Sequence, residues 1–448
     1  MRHRAARADS MSHGHVSTRF NDRSPCTGTL GAEPVARPME RHLVPTVALA
    51  LLCVLSGTAT AAMPTVAEAA AKAKEKGPLT LLAAAEVKVA GSQKHAAGLP
   101  SLTNPYIELF VDRSKDTSAG VAVHGSLWLP IELAGQRDKR IGEVDTLIAW
   151  KQGARAAAEA VAVGEAVTAW GELVVALSRR AEAHAGEKIA REEAAYVKGR
   201  LEAKDATAVD AAVAEGEVAR WVQAKVEADI AVATTKTRLA IAVGEATLDT
   251  AEDAPKIVLP ELRWKDDGAF VKHVEEHSPV LLAAEREATY FLASRDRWDT
   301  EKYPPVNLIL SAGRTDSGAF QYGVGLAWSL PVLRKNQAEV GRADAEAERA
   351  KAAKIIARTA LVARAKGAFA AYTAARTALS TVDEIAMPAA TAVVDASVAA
   401  WKAGKLEASR VFLARRDLAT ARARRLDVVA IGYKAFGDLA GLLGEVPS

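Results

Sequence analysis

The chain has 448 residues, half of them hydrophobic but only 5% aromatic, and a formal charge of +3 at pH 7. Much of the apolar content is alanine, which favours helix and close helix packing but fills a large globular core poorly. Residues 1–61 hold seven arginines against four acids, leaving 51 basic and 51 acidic residues beyond them; this neutral remainder excludes a basic surface for nucleic acid.

Residues 1–38 are rich in Arg, Ser and Gly without any period, and are expected to be a disordered leader or a misassigned start ahead of Met39. Residues 43–55 are almost continuously apolar, follow Arg41 and His42, and lead to Ala59-Thr60-Ala61. A positive end, a short apolar core and a small-residue site predict a signal peptide over 39–61. Both cysteines, Cys26 and Cys53, fall in this front segment, so cleavage after Ala61 leaves a cysteine-free protein suited to an oxidising compartment. Leu52 before Cys53 is too large for the usual lipid-attachment signal. No later apolar stretch approaches ~20 residues, so membrane insertion is expected to use strands, not a helix.

Beyond residue 61 the chain repeats itself. Pro78-Leu79-Thr80-Leu81-Leu82-Ala83-Ala84 recurs as Pro279-Val280-Leu281-Leu282-Ala283-Ala284, and Trp128-Leu129-Pro130-Ile131 as Ser329-Leu330-Pro331-Val332, both at an offset of 201. Lys198-Gly199-Arg200-Leu201-Glu202-Ala203 is matched to Ala403-Gly404-Lys405-Leu406-Glu407-Ala408 at 205, and Gly244 to Gly444 at 200. Two units follow, 62–255 and 256–448, each too long for a solenoid repeat.

Each unit opens on a helical stretch (65–97 and 267–299) and passes through two short alternating segments, 106–111 with 120–129 and 306–310 with 320–329. In the last of these Phe320, Tyr322, Val324, Leu326 and Trp328 share a face opposite Gln321, Gly323, Gly325, Ala327 and Ser329. In the first unit Val121, Val123, Leu127 and Leu129 oppose Ala122, His124, Ser126 and Trp128. A period of two with aromatic ends and a small, polar reverse face fits a membrane β-barrel strand. Long helices follow. Residues 130–199 span ~100 Å as helix at ~1.5 Å per residue, and Val209, Val213, Val218, Val222, Val226 and Ile230 mark an amphipathic return. Gly199 and Gly404 are the expected reversal points, since glycine supplies a positive φ. Pro388 is expected to kink the second long helix or mark a short break in it.

The order signal peptide, helix, two strands, long helical hairpin, then the same again, resembles the TolC-like outer-membrane efflux family over nearly all of the mature chain. Ala399-Ala400-Trp401-Lys402-Ala403-Gly404-Lys405-Leu406 is similar to that family's hairpin-tip motif, and Ser329-Leu330-Pro331-Val332-Leu333 to its strand-to-helix exit. Residues 129–137 resemble the heavy-metal (cobalt-zinc-cadmium) efflux branch. The implied fold is mainly α with a small β part: long helical hairpins in a trimeric periplasmic α-barrel, and four strands per chain in a 12-stranded outer-membrane barrel. Strand physics agrees, because four strands cannot close and open edges are not tolerated in lipid. The resemblance implies a passive export duct in the outer membrane, a homotrimer extending into the periplasm and met there by a periplasmic adaptor and an inner-membrane pump. A polypeptide secretion duct and a pore-free periplasmic coiled-coil scaffold are the alternatives.

It also directs attention to the hairpin tips. Leu201 and Leu406, beside Gly199 and Gly404, are candidates for adaptor contact. Glu202, Asp205, Glu407 and Arg410 are candidates for a pore gate, with an Asp205–Arg410 ion pair as the closing contact. No enzyme, cofactor or metal site is expected. His273-Val274-Glu275-Glu276-His277 matches a zinc-peptidase pattern, but Ser278-Pro279 follows at once and the first unit carries Glu75-Lys76-Gly77-Pro78 in its place. His95, His124 and His184 are isolated, with His124 placed towards the barrel lumen.

Overall fold

Proline and glycine punctuation divides the chain into two runs of the same element order, seen here in a computed structural model. It describes residues 63–113, 120–248 and 255–447, all within one compact unit, residues 58–448. The leader, the signal peptide and both cysteines lie outside the described residues.

The first run comprises α1 (Val66–Lys76), α2 (Pro78–Ala97), β1 (Tyr106–Arg113), β2 (Val121–Ile131), α3 (Gln136–Glu202) and α4 (Ala208–Val243). The second comprises α5 (Asp267–His277), α6 (Pro279–Thr300), β3 (Val306–Arg314), β4 (Phe320–Trp328), α7 (Gln337–Thr381), a π-helical turn (Val382–Ala386), α8 (Met387–Lys402) and α9 (Ala408–Leu443). Pro78 and Pro279 each sit in the first turn of a helix, where no amide donor is needed.

The helices form one layer whose composition changes along its length. Towards the sheet the order is α2, α3, α6, α7; towards the far end it is α4, α3, α9 and then the π turn with α8. Thus α3 and the α7–α8 rod run the whole way, while α2 gives way to α4 and α6 to α9. Short α1 and α5 pack where these exchanges occur, α1 on α3 and α4, α5 on α7 and α9.

Small residues set the spacing. At the α3–α9 crossing a Cβ on Gly164 would lie 2.8 Å from the Gly437 carbonyl oxygen and 2.8 Å from Gly441 Cα, so the two backbones touch. Around this crossing Val163, Val167, Val174, Tyr372, Val429 and Phe436 form the main core. Tyr372 Oη donates to the Pro260 carbonyl at 2.6 Å and Tyr433 Oη to that of Val258 at 3.2 Å, tying the inter-run segment onto α7 and α9.

Two expectations are corrected here. An 18-residue stretch of α3 is apolar enough to cross a membrane by length and composition, but 72% of it is buried inside the fold, making it a core helix. On α4 the valine stripe does not face the core: Val209, Val226 and Ile230 are more than half exposed. The buried side is Ala214, Ala228, Val232 and Leu239, because small residues let α4 approach α3 closely.

Pro388 lies in the first turn of α8, directly after the π turn. The missing donor is absorbed by the wider i→i+5 turn, not by a break. Arg425 on α9 reaches Asp383 in that turn, with Nη2 3.0 Å from Oδ2.

Candidate functional site: sheet faces and hairpin tips

The four strands form one antiparallel sheet in the order β1-β2-β3-β4. Residues directly opposite in such a sheet share a face, so the register assigns every side. Ile107 pairs with Leu127, Leu127 with Leu310, and Leu310 with Val324. That face carries Ile107, Leu109 and Val111 on β1, Val121, Val123, Leu127 and Leu129 on β2, Leu308 and Leu310 on β3, and the whole β4 stripe. Tyr322 on it is 93% exposed and Phe320 84%. The other face carries Glu108, Asp112, His124, Ser126, Asn307, Ser311 and Gln321, with Gly313, Gly323 and Gly325 between them, and also Tyr106, Phe110, Trp128 and Ile309. His124 lies over Gly313, where a Cβ would come within 2.6 Å of its Nδ1. Trp128 Nε1 donates to Ser126 Oγ at 3.0 Å, and its ring stacks on Tyr106 at 5.3 Å. β1 and β4 leave their outer edges unpaired within the chain.

Each second strand turns into its long helix through the same device. Gly135 and Asn336 precede α3 and α7 with φ of 77° and 56°. The next residue, Gln136 or Gln337, accepts on Oε1 from the amide two residues earlier, at 2.9 Å in both runs. The first junction is locked further by a buried ion pair. Arg140 Nη1 meets Glu132 Oε1 at 2.8 Å with side chains 4% and 8% exposed, and Arg140 Nη2 donates to the Leu99 carbonyl at 3.1 Å. Glu132 Oε1 also accepts from the Leu102 amide. This is the physical content of residues 129–137, and sequence reasoning missed Arg140 because its partner lies on a strand end.

At the far end both hairpins turn with one backbone. Lys204 N–H donates to Leu201 O and Asp205 N–H to Arg200 O; Gly404 N–H donates to Trp401 O and Lys405 N–H to Ala400 O. These are paired Schellman closures with the left-handed residue at Lys204 (φ 61°) and Gly404 (φ 70°). The expected reversal at Gly199 is therefore corrected: Gly199 is inside α3, and Lys204 takes the strained conformation. Equivalence runs at an offset of 200, not 205, so Leu201 corresponds to Trp401 and Ala206 to Leu406.

With that alignment the two tips carry opposite charge at three equivalent positions, Glu202 against Lys402, Asp205 against Lys405 and Asp210 against Arg410. Glu202, Asp205, Glu407 and Arg410 are all exposed. Leu201 and Leu406 are only half-exposed, and Leu406 packs on a cluster of Val197, Ala214, Trp401, Val411 and Phe412 that joins the two hairpins. Trp401 meets Tyr196 edge-on at 5.0 Å. Among the described residues no ion pair joins Asp205 to Arg410. Arg200 Nη2 instead donates to the Asp205 carbonyl at 3.1 Å, and Glu193 on α3 pairs with Arg415 on α9 at 2.8 Å. Burial holds the Glu193 carboxyl above its ordinary value, Arg415 opposing it.

After the first tip Thr207 caps α4. The Asp210 amide donates to Thr207 Oγ1 at 3.2 Å and the Thr207 amide to Asp210 Oδ2 at 2.9 Å, a reciprocal box. These bonds hold the Asp210 carboxyl below the usual carboxylate range. Thr207-Ala208-Val209-Asp210 is a start signal legible in sequence, and it places the turn correctly. Glu407, at the equivalent position, makes no side-chain cap.

His273 and His277 share a face of α5, with rings stacked at 4.5 Å. Among the described residues no group of three or more His, Cys, Asp or Glu could hold a metal.

Comparison with known proteins agrees with this geometry. Residues 271–445 match the outer membrane efflux protein family. Over 392 residues the chain is 26% identical to the cobalt-zinc-cadmium resistance protein CzcC of Cupriavidus metallidurans, covering 82% of this chain and 91% of that one. The fold is similar to the outer-membrane channel OprN (TM-score 0.69, 16% identity, 86% of this chain and 90% of that one). It is also similar to CusC (0.67, 13%, 86% and 92%) and to the open state of the Neisseria gonorrhoeae MtrE outer membrane channel (0.66, 15%, 86% and 90%). Residues 271–445 thus match the outer membrane efflux protein family, on a chain whose fold is similar to that of outer-membrane channels.

Proposed function

We propose that three copies of this chain assemble into an outer-membrane export duct, a passive conduit in a tripartite efflux system. One observation carries the reading: one face of the sheet is mainly apolar, the other mixes polar and small residues with Tyr106, Phe110, Trp128 and Ile309, and among the described residues both sheet edges are open. Lipid requires every strand edge to be paired, and three copies supply twelve strands, an even number within the range of outer-membrane barrels. The helical layer supports the same closure. Its two outer members, α2–α4 and α7–α8, expose Leu81, Leu82, Val226 and Ile230 on one side and Ile355, Ile356 and Val393 on the other. The repeated element order supports an internal duplication with units 62–255 and 256–448.

In that assembly a periplasmic adaptor and an inner-membrane pump meet the hairpin tips, where Gly404 and Leu406 lie in one turn and Gly199 and Leu201 precede the other. Glu202, Asp205, Glu407 and Arg410 stand where a gate would close. Divalent metal cations are the proposed cargo, supported by the similarity to CzcC. The purified chain should insert into planar bilayers and conduct; recovery as soluble monomer without conductance refutes the duct. A deletion strain sensitive to cobalt, zinc or cadmium supports the cargo, and sensitivity to drugs or detergents alone removes it.

A further inference from the structure

The break between α5 and α6 contains a cavity of about 230 Å³ lined by Arg263, His273, His277, Ser278, Leu442 and Glu445. Its polar lining is one guanidinium, one carboxylate, two imidazoles and one hydroxyl. Arg263 stacks over Trp264 at 4.3 Å and reaches His273 Nε2 at 3.4 Å and Glu445 Oε1 at 3.4 Å. Ser278 is 4% exposed, and its Oγ has no hydrogen-bond partner. Ser278 is also the N-cap of α6, a 22-residue helix whose first turn no side chain caps. A buried hydroxyl left unpaired at a helix start is destabilising unless something meets it.

The first run shows how the same junction can close on itself. There Lys72 occupies the position of His273, Lys76 that of His277, Gly77 that of Ser278 and Glu245 that of Glu445. Lys72 Nζ closes directly on Glu245 Oε1 at 2.8 Å. The backbone fills the remaining space: a Cβ on Gly77 would lie 2.4 Å from Ala73 O, and one on Gly244 would lie 2.1 Å from Lys76 O. In the second run the nearest atom to a Cβ on Gly444 is Ala160 Cβ, at 3.3 Å. One run is sealed by its own ion pair, whereas the other keeps an open site with the same carboxylate at its rim.

We propose that this cavity binds a small oxyanion, a phosphate or carboxylate group, held by the Arg263 guanidinium and the Ser278 hydroxyl; His273 and His277 add ring donors only when protonated, since His273 Nε2 accepts from Arg263 and His277 Nδ1 donates to the His273 carbonyl. Glu445, whose side chain is 63% exposed, is the internal competitor that the anion displaces from Arg263. The uncapped α6 end favours negative charge independently. Burial, His277 and Arg263 keep His273 below its ordinary value, against Glu445 and Glu276; an anion in the cavity adds to the opposing side.

The test is calorimetric titration of the detergent-solubilised full chain with inorganic phosphate and, separately, with acetate. Saturable binding of one anion per chain is expected, and whichever of the two binds identifies the source chemistry. Arg263→Gln should weaken it at least tenfold, the loss of a charge-assisted bond, while Glu445→Gln should tighten it. Ser278→Ala should weaken it less, and matching circular dichroism spectra exclude misfolding. Neither anion saturating the wild-type chain, or Arg263→Gln binding as tightly as wild type, overturns the site.

Discussion

Gly437→Ala tests whether backbone contact between α3 and α9 organises the helical layer. The added Cβ would sit 2.0 Å from Thr168 Oγ1 and 2.9 Å from the Gly164 carbonyl oxygen. Rotating Thr168 away sacrifices its 2.9 Å bond to Gly164 O, a loss of about 1 kcal/mol. Overpacking adds about 1–3 kcal/mol, and alanine returns about 1 kcal/mol in helix propensity. The balance is a destabilisation of about 1–3 kcal/mol. Gly164→Ala meets only backbone, Gly437 O at 2.8 Å and Gly441 Cα at 2.8 Å, so no rotamer relieves it. Adding Thr168→Ala should therefore rescue part of Gly437→Ala and none of Gly164→Ala. Gly341→Ala, whose Cβ meets nothing within 4 Å, should be neutral or stabilising by up to about 1 kcal/mol. Thermal melts in detergent followed by far-ultraviolet circular dichroism report all five variants. A Gly437→Ala melt at or above wild type refutes the reasoning, as does equal rescue of both glycine variants.

Arg140→Met should cost about 3–5 kcal/mol by stranding the buried Glu132 carboxylate, and Glu132→Met/Arg140→Met far less; melts that rank the two the other way contradict this. Thr207→Ala should cost about 1 kcal/mol at the start of α4. Because Asp210 is held below its unfolded value, its contribution is present above about pH 4 and lost as pH falls through the folded value. Amide exchange in the first turn of α4, corrected for the intrinsic rate, should show this, and Asp210→Asn should remove the pH dependence. His273 has the opposite chemistry but the same slope: its folded value is depressed, so the unfolded chain protonates first. Stability around α5 should therefore fall as pH drops below about 6.5, and a His273→Gln variant with an unchanged pH profile would argue against it.

Much of the fold could be read from residues. The β4 stripe from Phe320 to Trp328 alternates without a fault, whereas β1, β2 and β3 break the pattern at Phe110, Trp128 and Ile309, which share the face of His124 and Ser126. The hairpin tips were misread for a physical reason. Matching Gly-x-Leu placed the turn at Gly199, on the assumption that glycine takes the positive φ. Lys204 takes it instead, in a turn held by the Schellman bonds, the Arg200–Asp205 carbonyl contact and the Thr207 box. The buried side of α4 was hidden for another reason. Hydropathy marks valines, whereas the contact with α3 is made by alanines that permit approach. The α5–α6 cavity depends on Arg263 and Glu445, 182 residues apart, and no local pattern joins them.

The two tips share a backbone and differ in sign. The proposed ring of three copies would present six hairpin ends, alike in outline because Lys204 and Gly404 close them with the same bonds. Charge breaks that likeness, since Glu202, Asp205 and Asp210 alternate around the ring with Lys402, Lys405 and Arg410. Such a rim is sixfold in shape and threefold in potential. A partner that senses only contour finds six identical seats. One that senses charge finds two kinds, and can settle in only half of the rotational positions that shape alone allows.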